Sequence, residues 1–122
     1  MNPKELMENA VQILDKKKGM QIVALKIDAL TTVADYFVLV TGTSSTHIRA
    51  LADELEDGLS KLGEQPDHIE GKATGWILLD YKSVVVHVFT PDARETFNLE
   101  KLWGDAEEVD LSGLVTELFV NE

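Results

Sequence analysis

The chain has no cysteine, which removes disulfide frameworks, thiolate metal sites and thiol nucleophiles in one step. That usage fits a reducing cytoplasm, the location expected here. Long hydrophobic runs are absent too. Apolar segments such as residues 77–79 and 84–86 are strand-sized, far short of the roughly 20 residues that span a bilayer, so no membrane partner is expected. The opening Met-Asn-Pro-Lys-Glu has neither the basic, apolar pattern of a signal peptide nor the arginine-rich character of a transit peptide. Cations are scarce: 11 Lys and Arg stand against 22 Asp and Glu, a net charge of −11. Nucleic-acid binders present a basic face because their affinity comes largely from neutralising phosphates. Direct, sequence-specific nucleic-acid binding is therefore not expected. The acidic balance suits solubility, and it equally suits a basic protein partner.

What is present fits one globular domain. The chain has 122 residues, 44% of them hydrophobic, enough to fold without a metal or disulfide. Asn2-Pro3 reads as a helix N-cap followed by proline in the first turn, with Leu6, Met7, Ala10, Val11 and Leu14 at helical spacing. Lys16, Lys17 and Lys18 suit the helix C-terminus, and Gly19 is expected to end it. Residues 22–27 and 36–40 read as strands, the second apolar on both faces and therefore central. Ser44 caps a helix whose stripe is Ile48, Leu51, Ala52, Leu55, Leu59 and Leu62, ended by Gly63. Residues 66–70 form a weak strand candidate. Residues 76–81 and 84–89 are stronger, and Lys82-Ser83 leaves room only for a hairpin. A short helical segment runs from Thr90 to Trp103. The order predicts a single α/β domain of the α+β kind, a five-stranded mixed sheet flanked by helices. Residues 1–106 carry it, and residues 107–122 read as an acidic tail with a short amphipathic helix through Leu111, Leu114, Val115, Leu118 and Phe119.

Tests for catalysis find little. Thr41-Gly42-Thr43-Ser44 lies between a strand and a helix, where backbone N–H groups can meet phosphate, yet no phosphate-loop or dinucleotide glycine pattern surrounds it. A Gly-Ser turn also opens the nucleotidyltransferase fold, whose chemistry needs paired carboxylates on the next strand to hold magnesium. No such pair follows. Asp67 and Glu70 are three apart, which on an extended chain points them to opposite faces. His47, His68 and His87 show no metal-ligand spacing, and neither Ser44 nor Ser45 lies in a nucleophile elbow. No catalytic residue, metal or cofactor is expected; a nucleotidyltransferase-related enzyme acting on a small nucleotide is the alternative.

The second half is more specific. Glu70-Gly71, residues 75–81 (Gly-Trp-Ile-Leu-Leu-Asp-Tyr), residues 85–89 (Val-Val-His-Val-Phe), Arg94, and Leu99-Glu100 followed by Leu102-Trp103-Gly104-Asp105-Ala106 resemble the Iojap/RsfS family. Residues 34–38 (Ala-Asp-Tyr-Phe-Val) and Thr41-Gly42-x-Ser44 add its N-terminal signature. The resemblance implies a nucleotidyltransferase-like fold without catalytic carboxylates, homodimeric when free. It also implies binding to the large ribosomal subunit through a basic protein called L-fourteen, which blocks subunit joining and represses translation when nutrients are scarce. This chain departs in having Lys82-Ser83 where the family usually has Gly-Asp or Gly-Asn, which puts a left-handed turn there in doubt. It also has Thr96-Phe97 where the family tends to show two aromatics.

Strand alternation sets Trp76, Leu78 and Asp80 on one side of their strand and Ile77, Leu79 and Tyr81 on the other. One set must meet the helices. A face bearing Trp and Asp together suits an interface, so Trp76 or Tyr81 is expected to be exposed as an anchor. The candidate partner-binding residues are Asp35, Tyr36, Glu70, Trp76, Leu78, Asp80, Tyr81, His87, Arg94 and Glu100. Of these, His87, Arg94 and Glu100 suit a brace between the hairpin and the last helix better than a contact. Asp35 and Tyr36 suit either a loop cap or a contact, and Trp103 is expected to close the core.

Overall fold

The structure, a computed structural model, describes residues 1–71 and 74–115. Helix α1 (Pro3–Lys16) starts at Asn2, whose side chain accepts from the Glu5 N–H while the Glu5 carboxylate accepts from the Asn2 N–H. This reciprocal cap satisfies two orphan donors. The helix ends one residue earlier than Gly19 suggests, because Lys18 itself takes the left-handed conformation (φ 66°). Strand β1 (Met20–Lys26) runs antiparallel to β2 (Tyr36–Thr41), and β2 leads through Gly42 into α2 (Ser45–Lys61). Ser44 caps α2 by accepting from the His47 N–H. A side chain at Gly42 would collide with Ile48, so this glycine lets α2 pass close over the sheet. His47 closes the turn: Nδ1 accepts from the Thr43 N–H at 2.9 Å, and Nε2 lies 3.1 Å from the Lys17 carbonyl.

The rest of the sheet is β3 (His68–Glu70), β4 (Trp76–Asp80) and β5 (Val84–Phe89). Beyond it lie α3 (Pro91–Phe97) and α4 (Leu99–Leu102), one segment in the sequence reading but divided at Asn98, whose φ is 43°. A sixth strand, β6 (Glu107–Glu108), pairs with the outer edge of β1. It makes the mixed sheet six-stranded rather than five-stranded, in the order β3-β4-β5-β2-β1-β6. Two residues of acidic backbone carry no alternating pattern that would have announced a strand. Strands β2 and β5 pair parallel at the centre and are buried throughout, as chains apolar on both faces must be. Of the amphipathic helix expected at residues 111–119, Leu111 and Val115 flank a turn and are buried against the core; Leu118 and Phe119 lie outside the described residues. Among the described residues, no helix is long and apolar enough to cross a membrane.

The two faces of the sheet are covered unequally. Helices α1 and α2 pack Met7, Leu14, Ile48 and Leu55 onto Val38, Val40, Ile77, Leu79, Val84, Val86 and Val88. The opposite face holds a smaller cluster of Leu25, Ile27, Phe37, Leu39, Val85 and Phe89, capped by Ala93, Leu99 and Trp103. Trp103 closes this side edge-on against Phe37, with ring centroids 5.3 Å apart.

Candidate docking face

Residues paired across a ladder share a face. Glu70 opposes Leu78 and His68 opposes Asp80; Leu78 in turn opposes His87, and Trp76 opposes Phe89. Glu70, His68, Trp76, Leu78, Asp80 and His87 therefore lie on the side away from α1 and α2. At this corner Trp76, Leu78 and Asp80 are half-buried, while Glu70 is exposed. A recess of about 230 Å³ opens between Glu70, Gly71, Thr74, Trp76 and Leu78. Gly71 adopts φ 81° beside the Trp76 carbonyl, where any Cβ would collide.

Trp76 is fixed from several sides. Its indole Nε1–H donates to Nδ1 of His87 at 3.1 Å. Its ring lies 5.3 Å from Phe89 and 4.6 Å from Phe97, centroid to centroid. Phe97, at the end of α3, is 50% exposed and extends the aromatic surface outward. His87 is only 4% exposed, and burial pushes its imidazole down to about pKa 4.

Beside the rings stands a group of carboxylates. His68 Nδ1 lies 3.2 Å from Asp67, and its Nε2 lies 2.8 Å from Glu70 and 3.6 Å from Asp80. Asp67 and Glu70, expected on opposite faces, thus reach the same ring, because an imidazole has a nitrogen on each side. The Asp67 hydrogen bond, with the charges of Asp80 and Glu70, holds the His68 pKa above its usual 6.5. Three carboxylates share one exposed imidazole and the Lys82 ammonium, which lies 3.8 Å from Asp67, so acids outnumber cations in this group of described residues.

Comparison with known proteins bears on what such a face serves. A family model described as "Ribosomal silencing factor during starvation" matches residues 1–119. The ribosomal silencing factor RsfS of Halalkalibacterium halodurans is 40% identical over 117 residues, covering 95% of this chain and all of that one. That of Bacillus subtilis is 41% identical over 112 residues, covering 91% and 95%. A crystal structure of a Chromobacterium violaceum protein superposes with a TM-score of 0.83 at 32% identity, covering 85% of this chain and 88% of that one. The chain belongs to the RsfS family. Members are named for silencing ribosomes, a regulatory role rather than an enzymatic one.

Within this RsfS fold the other candidate residues fall elsewhere. Tyr81, expected with Trp76 as a possible exposed anchor, is 6% exposed and belongs to the helix-side core; burial, then the charges of Glu56 and Glu64, push its phenol up to about pKa 12. It sits one residue beyond Asp80 and so points under α2. Tyr36 is buried on the same side. Asp35 acts through its backbone, its N–H donating to the Ser83 carbonyl at 2.8 Å and its carbonyl accepting from the Ile27 N–H at 2.9 Å.

Arg94 and Glu100 form the brace. Arg94, 9% exposed, grips both Glu100 oxygens at 3.1 Å through Nε and Nη2. Its Nη1 donates to the Gln21 carbonyl at 2.7 Å and to Thr41 Oγ1 at 3.0 Å. One guanidinium therefore ties α3 and α4 to β1 and β2. The larger recess beside it, about 520 Å³, is open, and the arginine at its wall is already committed to these bonds. Sequence reasoning named Glu70 and Asp80 but missed Phe97, His68 and Asp67 as parts of this corner. The signals were faint: Phe97 stands four residues after Ala93 on one face of α3, and His68 lies between two acids.

Proposed function

We propose that this chain silences ribosomes by laying its acidic, Trp76-bearing sheet face on a basic protein of the large subunit, the one called L-fourteen, next to the surface that meets the small subunit. Occupying that place blocks subunit joining and lowers translation in the cytoplasm when nutrients are limiting. Family membership supports the ribosomal role. The observation that carries the docking geometry is the meeting of Trp76, Leu78 and Phe97 with Asp67, Glu70 and Asp80 at the corner left open by the helices. Half-exposed aromatics serve as anchors, and carboxylates beside them can meet Lys or Arg side chains of a basic protein while repelling the surrounding phosphates. The free chain is taken to be a homodimer, which sedimentation equilibrium measures directly.

The test is co-sedimentation of the purified chain with isolated large subunits, followed by a subunit-joining assay. Stoichiometric binding and fewer joined ribosomes are expected, with both effects lost in Trp76→Ala while its circular-dichroism signal stays folded. Large subunits indifferent to the unaltered chain would end this reading.

A further inference from the structure

His87 is an unusual choice for its position. It lies in the middle of a central, fully buried strand, opposite Leu39 on one side and Leu78 on the other. A β-branched or aliphatic residue would pack there and leave no polar atom to satisfy. Instead the imidazole brings two nitrogens into an aromatic nest, with Phe37 4.7 Å away edge-on and Phe89 6.1 Å away nearly parallel. Only one nitrogen finds use. An indole N–H can donate and never accept, so Nδ1 must present its lone pair to Trp76, and the proton of the neutral ring must sit on Nε2. That Nε2 is buried and has no hydrogen-bond partner among the described residues. The histidine thus costs stability at one atom, and the bond to Trp76 is the one hydrogen bond its ring makes among the described residues, one that no leucine or valine could make.

We propose that His87 is the positioning residue of the docking face: through Nδ1 it fixes the attitude of the Trp76 indole that the basic partner meets. The two phenylalanines hold the imidazole ring itself in place, so the constraint passes from the sheet centre to the surface ring. Without it the indole keeps its contacts with Phe89 and Phe97 but gains freedom to turn, and a ring ordered only on binding binds more weakly. The inference rests on the docking reading above.

The test uses the full chain carrying Trp103→Phe, which leaves Trp76 as the sole tryptophan. In the isotope-labelled protein at neutral pH, magnetic resonance is expected to show His87 protonated on Nε2 and bare on Nδ1, with a downfield, slowly exchanging indole N–H. His87→Phe keeps a ring but no acceptor; it is expected to lose that shift and to bind large subunits about tenfold more weakly, the scale of one hydrogen bond. His87→Asn, whose amide oxygen stands near the place of Nδ1, is expected to recover much of both. The opposite tautomer in the unmutated histidine overturns the proposal, whatever the variants do. So does His87→Phe binding at full strength while Trp76→Ala fails, a result that spares the docking reading. Full binding by Trp76→Ala would remove that reading and this one together.

Discussion

The backbone N–H of Lys82 donates to Oδ1 of Asp80 at 2.7 Å, and this bond holds a lysine at φ 71° in the hairpin between β4 and β5. A left-handed conformation costs a residue with a Cβ about 1 kcal/mol relative to glycine. Lys82→Gly is therefore expected to raise unfolding free energy by up to about 1 kcal/mol in urea titration. Asp80→Asn retains the accepting oxygen and should leave stability nearly unchanged, whereas Asp80→Ala removes the bond and should cost about 1 kcal/mol. Equal stabilities for the two Asp80 variants would show that the carboxylate does not hold the turn.

The two histidines of the candidate docking corner bend stability with pH in opposite directions. His87 binds its proton near 6.5 when unfolded but only near 4 when folded, because burial disfavours the cation. The unfolded chain therefore takes up more protons between those values. Its contribution is full above about pH 6.5 and is lost as pH falls toward 4, a change of about 3 kcal/mol. His68 is raised instead, so its smaller contribution is present below 6.5 and fades as pH rises through its folded value. Protonating His87 also places a donor against the Trp76 indole donor, which breaks their bond. Urea midpoints measured from neutral pH down to about pH 4 should fall steeply in the parent and less steeply in His87→Phe. Parallel curves would show that His87 is not the buried base behind the acid loss.

Most of the architecture is legible in the sequence. The two-faced apolar runs at 36–40 and 84–89 had to be central strands, and the Asn2 and Ser44 caps and the stripe of α2 mark their own helices. The candidate docking corner was legible in part: period-two alternation placed Trp76, Leu78 and Asp80 together. It could not say which of the two sets met the helices, and Tyr81, a plausible anchor on paper, went under α2. Nor does any local pattern announce the bond from Trp76 to His87, which depends on the register of two strands. The lysine in the β-hairpin raised doubt about a left-handed turn. The structure keeps such a turn, because a neighbouring aspartate compensates for the missing glycine.

Arg94 is a buried charge with Glu100, Thr41 and the Gln21 carbonyl around it, so its loss should be felt in folding rather than docking. Arg94→Met removes the donor to the buried Thr41 hydroxyl and to the Gln21 carbonyl and cuts the polar tie from α4 to the sheet. A loss of about 3 kcal/mol in unfolding free energy is expected. Arg94→Lys keeps the charge but cannot span both Glu100 oxygens while reaching β1, and should fall between the two. The folded fraction of Arg94→Lys is expected to bind large subunits like the parent. A stable Arg94→Met that no longer docks would move this residue from the frame to the interface.

Charge and rings should separate cleanly in the salt dependence of docking. A chain of net charge −11 approaching a basic protein gains from long-range attraction, which salt screens within about 10 Å at 0.1 M. Affinity for large subunits is therefore expected to fall as salt is raised over the range in which the subunits stay intact. The double variant Glu70→Gln, Asp80→Asn should bind more weakly at low salt and respond less to added salt, since it has lost the carboxylates nearest the contact. Trp76→Ala should instead lose affinity by a similar factor at every salt concentration, because burying its ring is an apolar gain that ions barely screen. Co-sedimentation of the three proteins at several salt concentrations distinguishes them. A double variant with the parent's salt slope would place the electrostatic contact somewhere other than the β3–β4 corner, even with Trp76 still at the centre of the surface.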